Sequence, residues 1–155
     1  SYFDPPETVL FGSSFGGEVA VHVGAGRVVV AIAVRAPVTF NRAFERYRSA
    51  ATAGDTDDEP IVGIEPSFFD DLASYPFESV AADLSVPVAI FHGRDDDSVP
   101  VEDSLGAVER LSGDVVLDCF EGEGHRFSRD AEARMRDRLF AWLASLAPVF
   151  TRWER

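Results

Sequence analysis

The stretch that decides the fold is Thr8-Val-Leu-Phe-Gly-Ser-Ser-Phe-Gly-Gly17. Its first four residues form a short apolar run, a glycine follows, and small and apolar residues then recur at helical spacing as far as Val23. This order predicts a buried strand, a tight turn and a helix. A Gly-x-Ser-x-Gly pattern at such a turn is typical of a nucleophilic serine held at the end of a strand.

Two adjacent serines compete for that role. A tight strand-to-helix turn needs small residues two positions before and two after the nucleophile, and Ser14 has Gly12 and Gly16 there. Around Ser13 the same two positions hold phenylalanines. We therefore take Ser14 as the candidate nucleophile. The alternative is a glycine-rich turn that carries no reactive serine.

Further along the chain, apolar runs alternate with helical patterns. The runs that predict strands are Arg27–Val34, Val86–Phe91 and Val115–Phe120. Helical spacing of apolar residues covers Val101–Leu111 and Met135–Leu146, and the second helix is expected to stop near Pro148. Continuous apolar strands joined by helices predict an α/β fold: a parallel sheet of about four strands with flanking helices.

The segment 37–84 interrupts this alternation and predicts a helical, lid-like insertion within a single domain, 1–155. It holds two short amphipathic candidates, Asn41–Ala50 and Pro66–Tyr75, on either side of a polar loop, Gly54–Pro60. Three aromatic residues of the insertion are candidates for the wall of a substrate pocket: Phe68, Phe69 and Tyr75. Packing of the short helices against the core explains them equally well.

A serine hydroxyl is a weak nucleophile and needs a base that a third group orients. The loop His92-Gly-Arg-Asp-Asp-Asp-Ser-Val-Pro100 follows the third predicted strand and offers three adjacent aspartates. Because the carboxyl ends of parallel strands meet at one rim, this loop is expected beside the serine turn. From the residues alone, the choice among Asp95, Asp96 and Asp97 stays open.

Three histidines could supply the base. His22 falls inside the first helix, where a packed or surface histidine is expected, and His92 closes a strand before a glycine turn. His125 lies in a glycine-bearing loop after the fourth strand, where its ring can project over the rim. The candidates thus occur in the order serine, aspartate, histidine.

Three motifs, GSSFGG, HGRDDDSVP and GEGHRF, resemble those of the α/β-hydrolases, and most closely the small esterases and prolyl-oligopeptidase-related peptidases. The acid loop of those groups reads His-Gly-x-x-Asp-x-x-Val-Pro, which implies that Asp96 is the acid. The resemblance also implies that the backbone N–H of Phe15 donates to an oxyanion. It implies a serine hydrolase acting on a carboxylic ester through an acyl-enzyme, without metal or organic cofactor. The alternatives are an oligopeptidase, acting on short peptides, and a non-catalytic fragment that binds a partner.

The same resemblance makes the serine-bearing strand the fifth of eight, with half of the sheet and a second oxyanion donor upstream. We therefore expect an exposed strand edge near Val9 and Phe11, paired with an upstream half or with a second copy of the chain. The isolated chain is expected to hydrolyse its substrate poorly.

The charge balance restricts the partners. All 14 basic residues are arginine, Asp and Glu number 27, and the net charge is −13. Such a surface repels nucleic acid and acidic membranes, and it resembles the surfaces of proteins from salt-loving archaea. The first residues, SYFDPPETVL, do not resemble a signal peptide, which favours a cytoplasmic protein. Cys119 is the only cysteine, so no internal disulfide can form.

Overall fold

The computed structural model describes residues 8–40 and 66–150. The strands in these residues are β1 Val9–Ser13, β2 Ala31–Arg35, β3 Val88–Gly93 and β4 Val115–Phe120. The helices are α1 Phe15–Ala25, α2 Pro66–Leu72, α3 Glu78–Ala81, α4 Val101–Val108 and α5 Arg129–Phe150. In the part of the chain that the structure describes, no helix combines the length and hydrophobicity that a membrane span requires.

The strands form one parallel sheet in the order β1-β2-β3-β4, which confirms the predicted fold class. Their carboxyl ends are in register: Ser13 pairs with Arg35, and Arg35 pairs with Phe91. Gly93 pairs in turn with Phe120 at the end of β4. All four strands therefore open onto the same rim of the sheet, and the loops that follow them are neighbours.

The two central strands, β2 and β3, are covered on both faces, as expected for continuous apolar runs in a parallel sheet. One face carries Ile32, Val34, Val88 and Ile90, which pack against α1, α3 and α4. The other face carries Ala33, Ala89, Phe91 and Phe120, which form one cluster with Phe127 before α5 and with Ala131 and Met135 of α5. This double burial makes the rim a rigid platform for the loops.

The described ends of the insertion join this core. The candidate Pro66–Tyr75 forms α2, whereas Asn41–Ala50 and the loop Gly54–Pro60 lie outside the described residues. Helix α5 is described as far as Phe150, within two residues of the expected stop near Pro148.

Strand β1 lies at one end of the described sheet, and β2 is its neighbour there. Its apolar side chains are exposed, Val9 by 39% and Phe11 by 50%. Pairing of this edge with another strand stays a prediction.

Candidate active site

The turn between β1 and α1 places Ser14 in a backbone conformation that L-residues rarely adopt, with φ 54° and ψ −125°. Such a conformation costs about 1–3 kcal/mol and persists only where the surroundings enforce it. Here the Ser14 N–H donates to the Arg35 carbonyl at 2.9 Å. The Ser14 carbonyl accepts hydrogen bonds from the N–H groups of Gly17 at 2.9 Å and Val38 at 3.2 Å. Hydrogen bonds to β2 and to the segment after it thus maintain the strained backbone conformation of Ser14.

The positions of the turn at which only glycine fits are not both of those expected from the sequence, Gly12 and Gly16. A Cβ at Gly12 would lie 2.1 Å from the Gly16 carbonyl oxygen, so only glycine fits there. A Cβ at Gly16 would meet nothing within 4 Å, and the expected need for a small residue at this position is wrong. The second close approach is at Gly17, whose Cβ would lie 2.8 Å from that of Pro37. Helix α1 therefore starts tightly against both β1 and the residues after β2.

The two serines have different partners. Ser13 Oγ accepts a hydrogen bond from Arg35 Nε at 2.9 Å, and Arg35 also reaches the Glu132 carboxylate at 3.5 Å. Ser14 Oγ lies 3.0 Å from His125 Nε2. The structure thus brings Ser14, and not Ser13, to an imidazole.

His125 connects the serine to a carboxylate. Its Nδ1 lies 2.8 Å from Asp96 Oδ2, and the Asp96 side chain is fully buried, whereas that of His125 is 23% exposed. An ionised carboxylate only accepts hydrogen bonds, so the Nδ1 carries the proton. Nε2 is then an acceptor aimed at Ser14 Oγ, which is the protonation state that a general base requires.

Asp96 is the only one of the three adjacent aspartates that faces this histidine. Its Oδ1 accepts hydrogen bonds from the backbone N–H groups of Ser98 at 3.0 Å and Val99 at 2.8 Å, and this turns Oδ2 towards His125. Asp95 and Asp97 are exposed to solvent.

Burial acts to raise the pKa of Asp96, but hydrogen bonds act in the opposite direction and outweigh it. The donors are the imidazoles of His125 and His92 and the Val99 N–H, and together they hold the pKa of this carboxyl well below its usual range. Asp96 therefore stays ionised across the acidic range in which histidines titrate.

Sequence reasoning missed the contribution of His92. This side chain is fully buried; its Nε2 lies 2.9 Å from the Val99 carbonyl oxygen and 3.3 Å from Asp96 Oδ2. Its Nδ1 lies 2.6 Å from Ser104 Oγ on α4. The His92 ring thus helps to hold the Asp96 carboxylate in place. The neighbouring turn requires Gly93, because a Cβ there would lie 2.2 Å from the Glu123 carbonyl oxygen. The four-residue spacing from His92 to Asp96 was the signal available in the sequence.

The histidine loop is anchored on both sides. The backbone N–H groups of Arg94 and Asp95 donate to the carbonyls of Phe120 and Glu123, each at 3.0 Å. The Glu123 carboxylate accepts hydrogen bonds from the Ser128 N–H at 2.7 Å and hydroxyl at 2.8 Å, and these bonds lower the pKa of Glu123. The loop that presents the imidazole is therefore tied to the acid loop and to the start of α5.

The remaining candidates lie around α1 and α2. Phe15 is the first residue of α1, so its N–H belongs to the positive end of the helix, where an anion is favoured. Phe68 contacts Phe15 edge to face at 5.5 Å between ring centroids, and Phe68 and Tyr75 line a cavity with it. Phe69 is not among the residues that line this cavity; like Phe68, it packs against the cluster of Val38, Leu72 and Val99. His22 also faces that cavity and lies away from the serine turn.

A parallel sheet whose C-terminal rim carries serine, aspartate and histidine in that chain order defines an α/β hydrolase. The sequence profile of the prolyl oligopeptidase family matches residues 1–148, and the chain belongs to that family. No curated protein matches the chain by sequence.

Solved structures share this fold. α/β hydrolase domain-containing protein 10 from mouse superimposes with a TM-score of 0.75 at 20% identity, over 92% of this chain and 64% of that one. The esterase domain of a Rhodothermus marinus protein superimposes with a TM-score of 0.71 at 21% identity, over 86% of this chain and 59% of that one. A monoacylglycerol lipase from Paleococcus ferrophilus superimposes with a TM-score of 0.62 at 18% identity, over 90% of this chain and 68% of that one. The chain thus spans about three fifths of the length of the first two.

Proposed function

We propose that this protein is a serine hydrolase that cleaves carboxylic esters through an acyl-enzyme. The observation that carries the proposal is the hydrogen-bonded series from Ser14 Oγ through His125 to the buried Asp96 carboxylate, at 3.0 and 2.8 Å. Nucleophile, base and orienting acid are each within hydrogen-bond distance of the next, as acyl transfer requires.

In the proposed mechanism, His125 Nε2 accepts the Ser14 proton while Oγ attacks the substrate carbonyl carbon. Asp96 keeps the imidazole in the required tautomer and stabilises the imidazolium. The Phe15 N–H donates to the oxygen that becomes negatively charged. The imidazolium then protonates the departing alcohol, and a water molecule, activated by the same ring, releases the acid from Ser14.

Membership of the prolyl oligopeptidase family favours a second candidate, hydrolysis of a short peptide. The chemistry differs only in the leaving group, which is an amine instead of an alcohol. The two functions therefore share every side chain of the mechanism and differ in what the pocket accepts.

An assay with two chromogenic substrates separates them. We expect turnover of p-nitrophenyl butyrate and no turnover of glycyl-proline p-nitroanilide, with each rate corrected for spontaneous hydrolysis. Preference for the anilide would assign the peptidase function. Hydrolysis of neither substrate, together with no labelling of Ser14 by a fluorophosphonate, would instead favour a non-catalytic binding module.

The pH profile tests the base. The acid limb of kcat/KM is expected to follow a single ionisation, because His125 must be neutral while Asp96, with its lowered pKa, stays ionised throughout. Initial rates between about pH 5 and about pH 9 measure this. Glu18→Gln is the control, because burial raises the pKa of Glu18 to about 7 and the limb should persist without that group. A flat profile with chemistry rate-limiting would contradict a histidine base.

Four further features stay proposals. The backbone N–H of Phe15 is proposed as an oxyanion donor, and removal of one such donor typically costs about 10²–10³ in turnover. A second copy or an upstream half is proposed to pair with the exposed edge of β1. The cytoplasmic location and the adaptation to high salt are predictions from sequence composition.

A further inference from the structure

The most unusual group outside the candidate active site is a buried carboxyl on α1. Glu18 is 4% exposed, and neither of its carboxylate oxygens has a hydrogen-bond partner among the described residues, 8–40 and 66–150. His22, one helical turn further along, places its Nε2 3.9 Å from Glu18 Oε1. In the same part of the chain, that Nε2 is likewise buried without a hydrogen-bond partner. Buried polar groups in native proteins are nearly always hydrogen-bonded, so this pair calls for an explanation.

His22 does not compensate the charge of the carboxylate. Burial lowers the pKa of His22, and a backbone hydrogen bond at Tyr75 only partly offsets this, so the ring is neutral at neutral pH. Burial raises the pKa of Glu18 to about 7. Around neutral pH, Glu18 is therefore partly ionised, and the residues that the structure describes provide its carboxylate with neither a cationic partner nor a hydrogen-bond donor.

Both residues line a cavity of about 270 Å³ between α1 and α2, and the Glu18 carboxylate oxygens and His22 Nε2 are buried there. Its walls are mostly apolar and aromatic, and its volume lies near the lower end of small-molecule sites. The lining residues from α1 are Phe15, Val19 and Val23, and those from α2 and the residues after it are Phe68, Leu72 and Tyr75. Asp71 adds a second acidic side chain to the lining. The cavity thus combines a mostly apolar wall with the acceptors Glu18 and His22 on α1 and a second acidic side chain on α2.

We propose that this cavity binds a small organic cation, an ammonium group attached to an aromatic or short aliphatic body. An ammonium has only donors, and one nitrogen can donate to both Glu18 and the neutral His22 ring, whose acceptors are 3.9 Å apart. The positive charge compensates the ionised carboxylate in a site with little water. The apolar body contacts the aromatic wall, which also attracts cations through its ring faces. The cavity shares Phe15, Phe68 and Tyr75 with the candidate substrate pocket, and the proposal adds to the hydrolase function the binding of a cation, which involves no reacting atom.

Titration calorimetry with benzylammonium, and with benzyl alcohol as its neutral analogue, tests the proposal on the full chain. We expect the wild type at about pH 8 to bind benzylammonium more tightly than benzyl alcohol. Glu18→Gln should weaken benzylammonium binding at least about tenfold and leave benzyl alcohol unchanged. Glu109→Gln, at an exposed glutamate outside the cavity, is the matched control and should bind like the wild type.

A pH series on the wild type gives a test that needs no variant. Affinity for benzylammonium should rise between about pH 5 and about pH 8 as Glu18 loses its proton, since its pKa is about 7. The other titratable groups at the cavity are His22 from α1 and Asp71 and Tyr75 from the opposite side, so the rise must be absent in Glu18→Gln. Equal affinity for the cation and the alcohol, no binding of benzylammonium, or unchanged binding in Glu18→Gln would each overturn the proposal.

Discussion

Ser14→Ala is expected to lower ester turnover by about 10⁴–10⁶ and to abolish labelling by a fluorophosphonate probe. Without the Oγ there is no atom to form the acyl-enzyme, and His125 Nε2 loses the hydroxyl that lies 3.0 Å away. Residual hydrolysis would come from water in a site that keeps its oxyanion donor and its pocket. Burst kinetics and mass spectrometry of the labelled protein measure the two effects separately.

Ser13→Ala is the matched control for this prediction. The Ser13 hydroxyl accepts its hydrogen bond from Arg35, on the side of the strand away from the imidazole, so activity and labelling should stay within a few-fold. Comparable far-UV circular dichroism of both variants excludes a folding defect. Undiminished labelling of Ser14→Ala, or its loss in Ser13→Ala alone, would assign the nucleophile to the other serine.

Asp96→Asn is expected to reduce turnover by about 10⁴. The amide can still accept the N–H groups of Ser98 and Val99, so the loop should keep its shape. The asparagine side chain no longer provides His125 with the negative charge that selects the Nδ1–H tautomer and stabilises the imidazolium. The loss should appear in kcat more than in KM, because ground-state binding of the substrate does not involve this carboxylate.

The neighbouring aspartates provide two controls at adjacent positions. Asp95 is tied into the site through its backbone N–H, which Asp95→Asn preserves. The Asp97 carboxylate is exposed and contacts the Ser98 hydroxyl at 3.4 Å. Both variants should stay within a few-fold of the wild type. A larger loss of turnover in either control than in Asp96→Asn would contradict the assignment of the acid to Asp96.

Much of the fold could be predicted from the chain because its signals are local. Apolar runs such as Val86–Phe91 and the glycine-rich turn around Ser14 depend on residues within one element, and parallel strands necessarily bring their carboxyl ends together. The resemblance to the α/β-hydrolases added the choice of Asp96. The stop near Pro148 agrees with the described end of α5 to within two residues, because proline is also a local signal.

The sequence by itself determined the order of strands and helices, the serine turn, the candidates Ser14 and His125, and an acid among three adjacent aspartates. Only the tertiary structure decided how they meet, because Ser14 and His125 are 111 residues apart and approach only when the sheet aligns its strands. The close approach at Gly17 and the burial of Glu18 were decided in the same way. Each depends on atoms of elements distant in sequence, and spacing along one segment carries no information about such contacts.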